Sequence, residues 1–210
     1  MLVDEIVRRV RERSTRLASG LPVAALPVGS DFQMNGIVPT RDIYRAASVL
    51  VPIVNRTPDI TILLTQRTED MPSHAGQVAF PGGRRQDNDA DAVATALRET
   101  EEEVGLDRKF VDVIGSYDLY RTGTGYEITP VVGIVTPGFT TRADPREVAD
   151  VFEVPLDHFL DEANHRIDSR QAQGRERRFY AMPYGQRYIW GATAGMLKNL
   201  QFILTSKTSP

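Results

Sequence analysis

Residues 80–106 read FPGGRRQDNDADAVATALRETEEEVGL, and this stretch is the strongest indication in the sequence of the fold and its site. The pair Gly82-Gly83 predicts a turn, because glycine adopts positive φ readily and lets the backbone approach a ligand closely. A loop rich in Asp and Asn follows, in which Asp89 or Asp91 is expected to cap a helix that begins near residue 90.

The predicted helix has one inward face and one acidic face. At about 100° per residue, small or apolar residues collect on one side of it: Val93, Ala96, Leu97, Thr100 and Val104. Glu99, Glu102 and Glu103 fall together on another side, where like charges oppose helix formation by roughly 0.2–0.5 kcal/mol per pair. Gly105 is expected to end the helix. The acidic group is either a solvated face or a site for a hard divalent cation, because carboxylate oxygens suit Mg²⁺ and Mn²⁺.

Gly83 and the run RETEEEVGL at residues 98–106 together resemble the Nudix box. Fourteen residues separate Gly83 from Arg98, one more than in the general box, and the first Glu of the box has no clear counterpart. Thr100 stands where an aliphatic residue is usual. The longer spacing resembles the coenzyme A pyrophosphatase branch of the family.

Residues 63–83 resemble the second signature of that branch. They match it at four places: Leu63-Leu64-Thr65, Arg67, Gly76 and Phe80-Pro81-Gly82-Gly83. They depart from it at Thr68, where Ser or Ala is usual, and at Pro72, where Arg is usual. The second departure removes one expected cation near phosphate or pantetheine. Residues 121–126 and 188–193 also look like this branch.

The resemblance implies an α/β (α+β) fold, a Nudix-type α/β/α sandwich with a mixed β-sheet. It implies metal-dependent hydrolysis of the diphosphate of coenzyme A or its derivatives, giving adenosine 3′,5′-bisphosphate and 4′-phosphopantetheine, with Mg²⁺ or Mn²⁺ as cofactor. One alternative is a Nudix pyrophosphatase for another nucleoside diphosphate derivative, such as ADP-ribose or NADH. The other is a Nudix-fold module that binds a nucleotide without catalysis, against which the complete set of carboxylates argues.

The chemistry needs cations at the attacking and leaving oxygens of the diphosphate, and Glu99, Glu102 and Glu103 are the expected metal ligands. By resemblance, Glu99 is also a candidate general base. Arg98 is expected to orient a carboxylate by a bidentate pair, the alternative being a surface salt bridge. The expected substrate contacts are Arg67, His74, Gly76, Gln77, Phe80, Gly82, Gly83, Arg121 and Tyr126, with Arg84 and Arg85 as further phosphate partners. Extra arginines suit the 3′-phosphate of coenzyme A.

The length and composition of the chain exclude several other classes of protein and of functional site. The 210 residues, 41% hydrophobic, suffice for one core, with an N-terminal helix and wrapping segment at 1–40 and a Nudix domain at 41–210. The absence of cysteine excludes disulfides and thiolate chemistry, and argues against isoprenoid isomerases of the Nudix fold. A net charge of −3 shows no excess of positive charge of the kind that binds a long nucleic acid.

No apolar run approaches the roughly 20 residues of a membrane span, and the N-terminus has no signal-peptide core. We therefore expect a cytoplasmic enzyme without a membrane partner that acts on a small nucleotide substrate, with a homodimer left open. The other predicted helices lie at 3–17, 155–161 and 191–204, and the predicted strands at 47–54, 59–65, 77–80, 110–120, 128–135 and 148–154. Residues 177–182 and 187–190 are predicted to pair as a hairpin.

Overall fold

The computed structural model describes residues 1–21, 23, 25–37, 43–70, 74–172 and 174–206, so the signature departure at Pro72 lies outside the described residues. Within these ranges the α-helices are α1 (Val3–Ala18), α2 (Ala92–Val104), α3 (Leu156–Leu160) and α4 (Gly191–Thr205). No helix in the described part of the chain is both long enough and apolar enough to span a lipid bilayer.

The strands form one mixed sheet and one separate hairpin. The sheet contains β1 (Arg45–Val54), β2 (Thr61–Arg67), β3 (Val78–Ala79), β4 (Gly82–Arg84), β5 (Val111–Ser116), β6 (Tyr120–Arg121), β7 (Tyr126–Val135) and β8 (Val148–Pro155). β1 and β7 run parallel along their whole length in the middle of the sheet, and the other pairs in the sheet are antiparallel. The hairpin consists of β9 (Arg166–Ala172) and β10 (Arg175–Ala181).

The sheet lies between two helical layers, because alternate side chains of a strand point to opposite faces. On β1, Val51 and Ile53 belong to the core that α1, α3 and α4 complete, whereas Leu50 and Val54 belong to the core that α2 completes. The inward face predicted for α2 is confirmed, since all of its members are buried or packed against this second core. The molecule therefore has the expected α/β/α sandwich with a mixed sheet.

The segment after α1 is fastened to the last helix. The buried amide of Asn199 grips the backbone of Val28 at both groups: Oδ1 accepts from the N–H at 3.0 Å, and Nδ2 donates to the carbonyl at 2.6 Å. Two residues further on, Ser30 forms a bridge with Arg121 of β6. Val28 and Ser30 of this segment thus contact α4 and β6.

Both ends of α2 are set by local side chains and backbone. Asp91 caps the helix by accepting from the N–H of Ala94 at 2.8 Å, so the helix begins at Ala92, slightly later than predicted. Gly105 ends it in the left-handed region at φ 68°, as predicted. The chain bends at Pro81, inside the turn predicted for residues 80–83, but the placement of that turn at the glycines is wrong, because Gly82–Arg84 form β4, which pairs with β1.

The predicted hairpin of residues 177–182 with 187–190 is also wrong. β10 pairs instead with β9, and residues 187–190 contribute only the isolated bridges Tyr184–Arg187 and Ala181–Trp190. The sequence of β9, RIDSRQA, is mostly polar on both faces, so it lacks the alternation that marks a half-buried strand.

Candidate active site

The three glutamates of α2 differ in their exposure. Glu103 is buried, with 6% of its surface exposed, Glu99 is partly buried, and the side chain of Glu102 is 58% exposed. A simple solvated face would expose all three similarly. The helix therefore carries two of its carboxylates into the protein, where the loss of hydration must be compensated.

Glu103 is held between β4 and β2. Its Oε2 accepts from the N–H of Gly82 at 3.0 Å, and its Oε1 lies 3.6 Å from Nη1 of Arg67. Burial raises the pKa of Glu103 to about 7, although the Gly82 hydrogen bond and the charge of Arg67 both oppose the rise. Burial likewise raises the pKa of Glu99, against the opposing effect of Arg98.

Arg98 contacts two of the glutamates of α2 and also Asp89 in the loop before the helix. Its Nη1 lies 2.9 Å from Oε1 of Glu99 and 3.0 Å from Oε2 of Glu102, so one nitrogen stands between these two carboxylates. Its Nε and Nη2 donate to the two oxygens of Asp89, both at 2.9 Å. Arg98 thus makes the bidentate pair expected of it, and its partner is Asp89.

Asp89 fills the place of the first carboxylate of the box. It is buried, it accepts from the N–H of Gln86 and from the hydroxyl of Thr95, and the hydrogen bonds from Arg98 hold its pKa below the usual range. Counting forward from Gly83 reaches Asp89, whereas the extra residue of the spacing lies between Asp89 and Arg98. The sequence did not reveal this residue, because an aspartate replaces the usual glutamate and one extra residue separates it from Arg98.

The two glycines of β4 are required by close approach. A β-carbon on Gly83 would lie 2.5 Å from the carboxylate of Glu99, well inside van der Waals contact. Gly82 has φ 152°, and a β-carbon there would lie 2.4 Å from the carbonyl oxygen of Ser48. Positive φ therefore belongs to Gly82, whereas a side chain at position 83 would displace the carboxylate of Glu99.

A fourth glutamate, Glu147, joins the site from the loop before β8. The loop is fixed to the end of α2, where the N–H of Asp144 donates to the carbonyl of Glu103 at 2.9 Å. The carbonyl of Glu147 accepts from the N–H of Thr68 at 3.0 Å, and its Oε2 lies 3.7 Å from Nη2 of Arg67. Its charge adds to the rise in the pKa of Glu99 and Glu103. No motif in the sequence points to it.

The donor set suits a divalent metal, and Nudix boxes generally serve such ions. In this conformation, no three His, Cys, Asp or Glu side chains of the described ranges converge closely enough to hold one, because Arg98 and Arg67 stand between the carboxylates. Buried carboxylates with raised pKa values are nevertheless the groups that a hard cation stabilises, since its charge replaces lost hydration. Glu99, Glu102 and Glu103 are the residues that would hold it, with a rotation of Glu102 away from Arg98.

Beside the carboxylates opens a cavity of about 580 Å³. Its wall contains most of the predicted substrate contacts: Arg67, His74, Gln77, Phe80, Gly82, Gly83, Arg84 and Tyr126. Nδ1 of His74 lies 2.9 Å from Oε1 of Gln77, and the guanidinium of Arg45 lies 4.1 Å from the ring centre of Tyr126. One face of Tyr126 is therefore already covered.

Three predicted contacts do not lie in the described wall of this cavity. Arg121 pairs with Glu127 at 2.8 Å. Arg85 donates to two backbone carbonyls just before α2. A β-carbon on Gly76, which has φ 66°, would collide with the side chain of Glu69. Sequence reasoning missed the opposite wall, which consists of residues 30–35, the β9–β10 hairpin and Trp190.

Comparison with known proteins agrees with this geometry. The family model for the NUDIX domain matches residues 44–173. The uncharacterized Nudix hydrolase NudL of Escherichia coli (strain K12) is 45% identical over 157 residues, which cover 75% of this chain and 81% of NudL.

Two solved structures are similar in fold. A MutT/nudix family protein from Enterococcus faecalis has a TM-score of 0.48 and 17% identity, over 95% of this chain and 73% of that one. The NUDIX domain of Shewanella oneidensis NrtR, solved with ADP ribose, has a TM-score of 0.43 and 18% identity, over 62% and 84% of the two chains. On the match to the NUDIX domain and the identity with NudL, the chain belongs to the Nudix hydrolase family and is a diphosphatase of the Nudix type.

Proposed function

We propose that this protein hydrolyses the diphosphate of coenzyme A or a derivative of it, giving adenosine 3′,5′-bisphosphate and 4′-phosphopantetheine. The observation that carries the proposal is the position of residues 63–83, the stretch that resembles the coenzyme A signature. Six of its described members line one cavity, and two of these, Arg67 and Gly82, also contact Glu103 of α2. The six are Arg67, His74, Gln77, Phe80, Gly82 and Gly83.

Arg67 supports a phosphate contact at this point. Its Nε is buried and has no hydrogen-bond partner among the described residues. Its other nitrogens lie 3.6 Å and 3.7 Å from Glu103 and Glu147, longer than direct hydrogen bonds. A guanidinium with free donors in a cavity wall suits a phosphate oxygen, because its planar fork matches that geometry.

The residues of α2 divide the work of the reaction. Glu99, Glu102 and Glu103 would hold the divalent ion, Mg²⁺ or Mn²⁺, which would stabilise charge on the phosphate oxygens and lower the pKa of water. The N–H of Gly82 fixes the carboxylate of Glu103, and Asp89 fixes Arg98 behind Glu99. Glu99, whose pKa is raised by burial, accepts the proton of the attacking water. The negative charge of Glu147 contributes to that rise in the pKa of Glu99.

The test compares substrates and one pair of variants. Coenzyme A, ADP-ribose, NADH and a nucleoside triphosphate are offered with Mg²⁺ or Mn²⁺, and we expect kcat/KM for coenzyme A to exceed the others by about 10-fold or more. Glu103→Gln and Glu102→Gln should each lower kcat by about 10² or more. Glu101→Gln on the same helix is the control, since Glu101 pairs with Arg108 outside the site.

A kcat/KM for ADP-ribose or NADH equal to that for coenzyme A would contradict the proposed substrate. Full turnover by Glu103→Gln at saturating metal would contradict the ligand assignment. The cysteine-free composition is consistent with our placement of the enzyme in the cytoplasm, and measurement of its mass in solution separates a monomer from a homodimer.

A further inference from the structure

Two arginines face each other on the hairpin that forms the far wall of the cavity. In the β9–β10 register Arg170 is directly opposite Arg177, and both line the cavity. Like charges directly opposite in an antiparallel pair are destabilising. Arg170 is exposed and Arg177 is partly buried, so water reaches the pair, and an anion bound between the two guanidinium groups would relieve their repulsion.

The described residues do not supply that anion. No ion pair or side-chain hydrogen bond to a carboxylate involves Arg170, Arg177 or the neighbouring Arg178 in the described part of the chain. The nearest acid along β9, Asp168, accepts instead from the hydroxyl of Tyr188 at 2.7 Å and lies 3.8 Å from Arg166. The carboxylate of Asp31 also lines the cavity, but it accepts from the hydroxyl of Tyr120 and the N–H of Gly123 instead.

The wall that carries these arginines is held in place from two sides. The side chain of Asn35 accepts from the N–H of Arg178 at 2.8 Å and donates to its carbonyl at 3.1 Å, which ties β10 to the segment before β1. The guanidinium of Arg170 lies 4.7 Å from the ring centre of Trp190, which in turn packs on Phe179 at 4.9 Å. The backbone of β10 and the guanidinium of Arg170 are thus positioned before any ligand arrives, which lowers the entropy lost on binding.

We propose that Arg170 and Arg177 bind a phosphate monoester that the substrate carries apart from the diphosphate it loses. The inference rests on the proposed function for the position of the diphosphate beside Glu99 and Glu103. Both ends belong to one cavity: Arg67 and Gly83 line it next to the carboxylates, and the hairpin arginines line it on the other wall. Coenzyme A has such a monoester on its ribose, and dephospho-coenzyme A, ADP-ribose and NADH do not.

The kinetic test measures kcat/KM for coenzyme A and dephospho-coenzyme A with the wild type, Arg170→Gln and Arg177→Gln. The wild type should prefer coenzyme A by about 10-fold or more, the size of one charge-assisted contact. Each variant should lose most of that preference by losing coenzyme A hydrolysis, while its rate with dephospho-coenzyme A stays the same. Arg175→Gln, on the same hairpin but outside the described cavity wall, should keep the preference.

A binding test is independent of catalysis. Calorimetry should show that the wild type binds adenosine 3′,5′-bisphosphate about 10-fold more tightly than AMP, and that the difference disappears in Arg177→Gln. Calorimetry also shows whether the hairpin variants remain folded, since they should still bind AMP as the wild type does.

Three results would overturn the inference: equal affinity of the wild type for the two nucleotides, equal losses with both substrates in the variants, or the same loss in Arg175→Gln. The outcome is separable from that of the proposed function. If the wild type hydrolyses no coenzyme A but binds the bisphosphate selectively through Arg177, the proposed function fails and the phosphate site stands. If it hydrolyses coenzyme A and dephospho-coenzyme A equally well, the phosphate site fails and the hydrolase stands.

Discussion

Replacing Glu103 by glutamine should stabilise the metal-free protein at alkaline pH and leave its stability unchanged in acid. The substitution keeps an acceptor for the N–H of Gly82 and removes a charge that is almost wholly buried. The expected gain in stability comes from desolvation of the ionised carboxylate, which raises the pKa of Glu103 to about 7 from an ordinary 4.5.

The size of the effect follows from this pKa. One pKa unit corresponds to about 1.4 kcal/mol, so ionised Glu103 lowers the free energy of unfolding by on the order of 3 kcal/mol. Below 4.5 the carboxyl is protonated in both the folded and the unfolded chain, and the effect is absent. It grows between 4.5 and about 7 and is complete above that range, so stability is lost as the pH rises through the folded-state pKa.

The assay is chemical denaturation in EDTA at a series of pH values for the wild type and Glu103→Gln. The variant should gain stability over the wild type only as the pH passes from about 4.5 to about 7. Glu101→Gln is a matched control of opposite sign, because Arg108 lowers the pKa of Glu101. That variant should lose stability above the ordinary carboxyl pKa and lose nothing in stronger acid.

Saturating Mg²⁺ should reverse the order of the two proteins at alkaline pH, because ligand binding to the folded state stabilises the wild type alone. The reasoning would be refuted by a Glu103→Gln variant that is no more stable than the wild type in EDTA at alkaline pH. A stability difference that does not depend on pH would refute it equally, since only ionisation of Glu103 is invoked.

Three further substitutions test the supporting geometry by steady-state kinetics, with unfolding curves to show that the fold is kept. Gly83→Val should lower kcat by about 10²-fold, since its β-carbon would lie 2.5 Å from the carboxylate of Glu99; unchanged hydrolysis would show that β4 and α2 need not touch. Asp89→Asn should raise the Mg²⁺ concentration needed for half-maximal rate by about 10-fold, because Arg98 loses the partner that fixes it, and an unchanged metal titration would make the pair purely structural. Glu147→Gln should move the acidic limb of the pH–rate profile to lower pH, because the charge of Glu147 contributes to the raised pKa of Glu99, and an unchanged profile would contradict that coupling.

The parts of the fold that sequence predicts well are those fixed by local periodicity and capping. α2 shows this: its inward face, its cap at Asp91 and its end at Gly105 all follow from side chains within the helix or next to it.

The parts that sequence did not reveal depend on long-range backbone contacts. Glu147 reaches the site because its loop donates to carbonyls at the end of α2, and no side-chain pattern encodes that. The β9 strand escaped detection because a ribbon outside the main sheet, wet on both faces, needs no apolar alternation. Arg170 and Arg177 were therefore absent from the predicted site, although they line the cavity.

The grip of Asn199 on Val28 makes the beginning of the chain part of the enzyme's selectivity. The residues that follow Val28, at 30–35, form one wall of the cavity, and Asn35 also anchors the hairpin at Arg178. Removal of the chain before β1 would take the buried Ile6 and Val10 of α1 out of the core that this helix completes. The buried amide of Asn199 would also lose both of its hydrogen bonds with Val28, which would lower the free energy of unfolding by about 1–3 kcal/mol. The hairpin would lose its hydrogen bonds with Asn35. A clipped form would thus be a less stable and less discriminating hydrolase, so the intact N-terminal segment is needed in any preparation used to measure substrate preference.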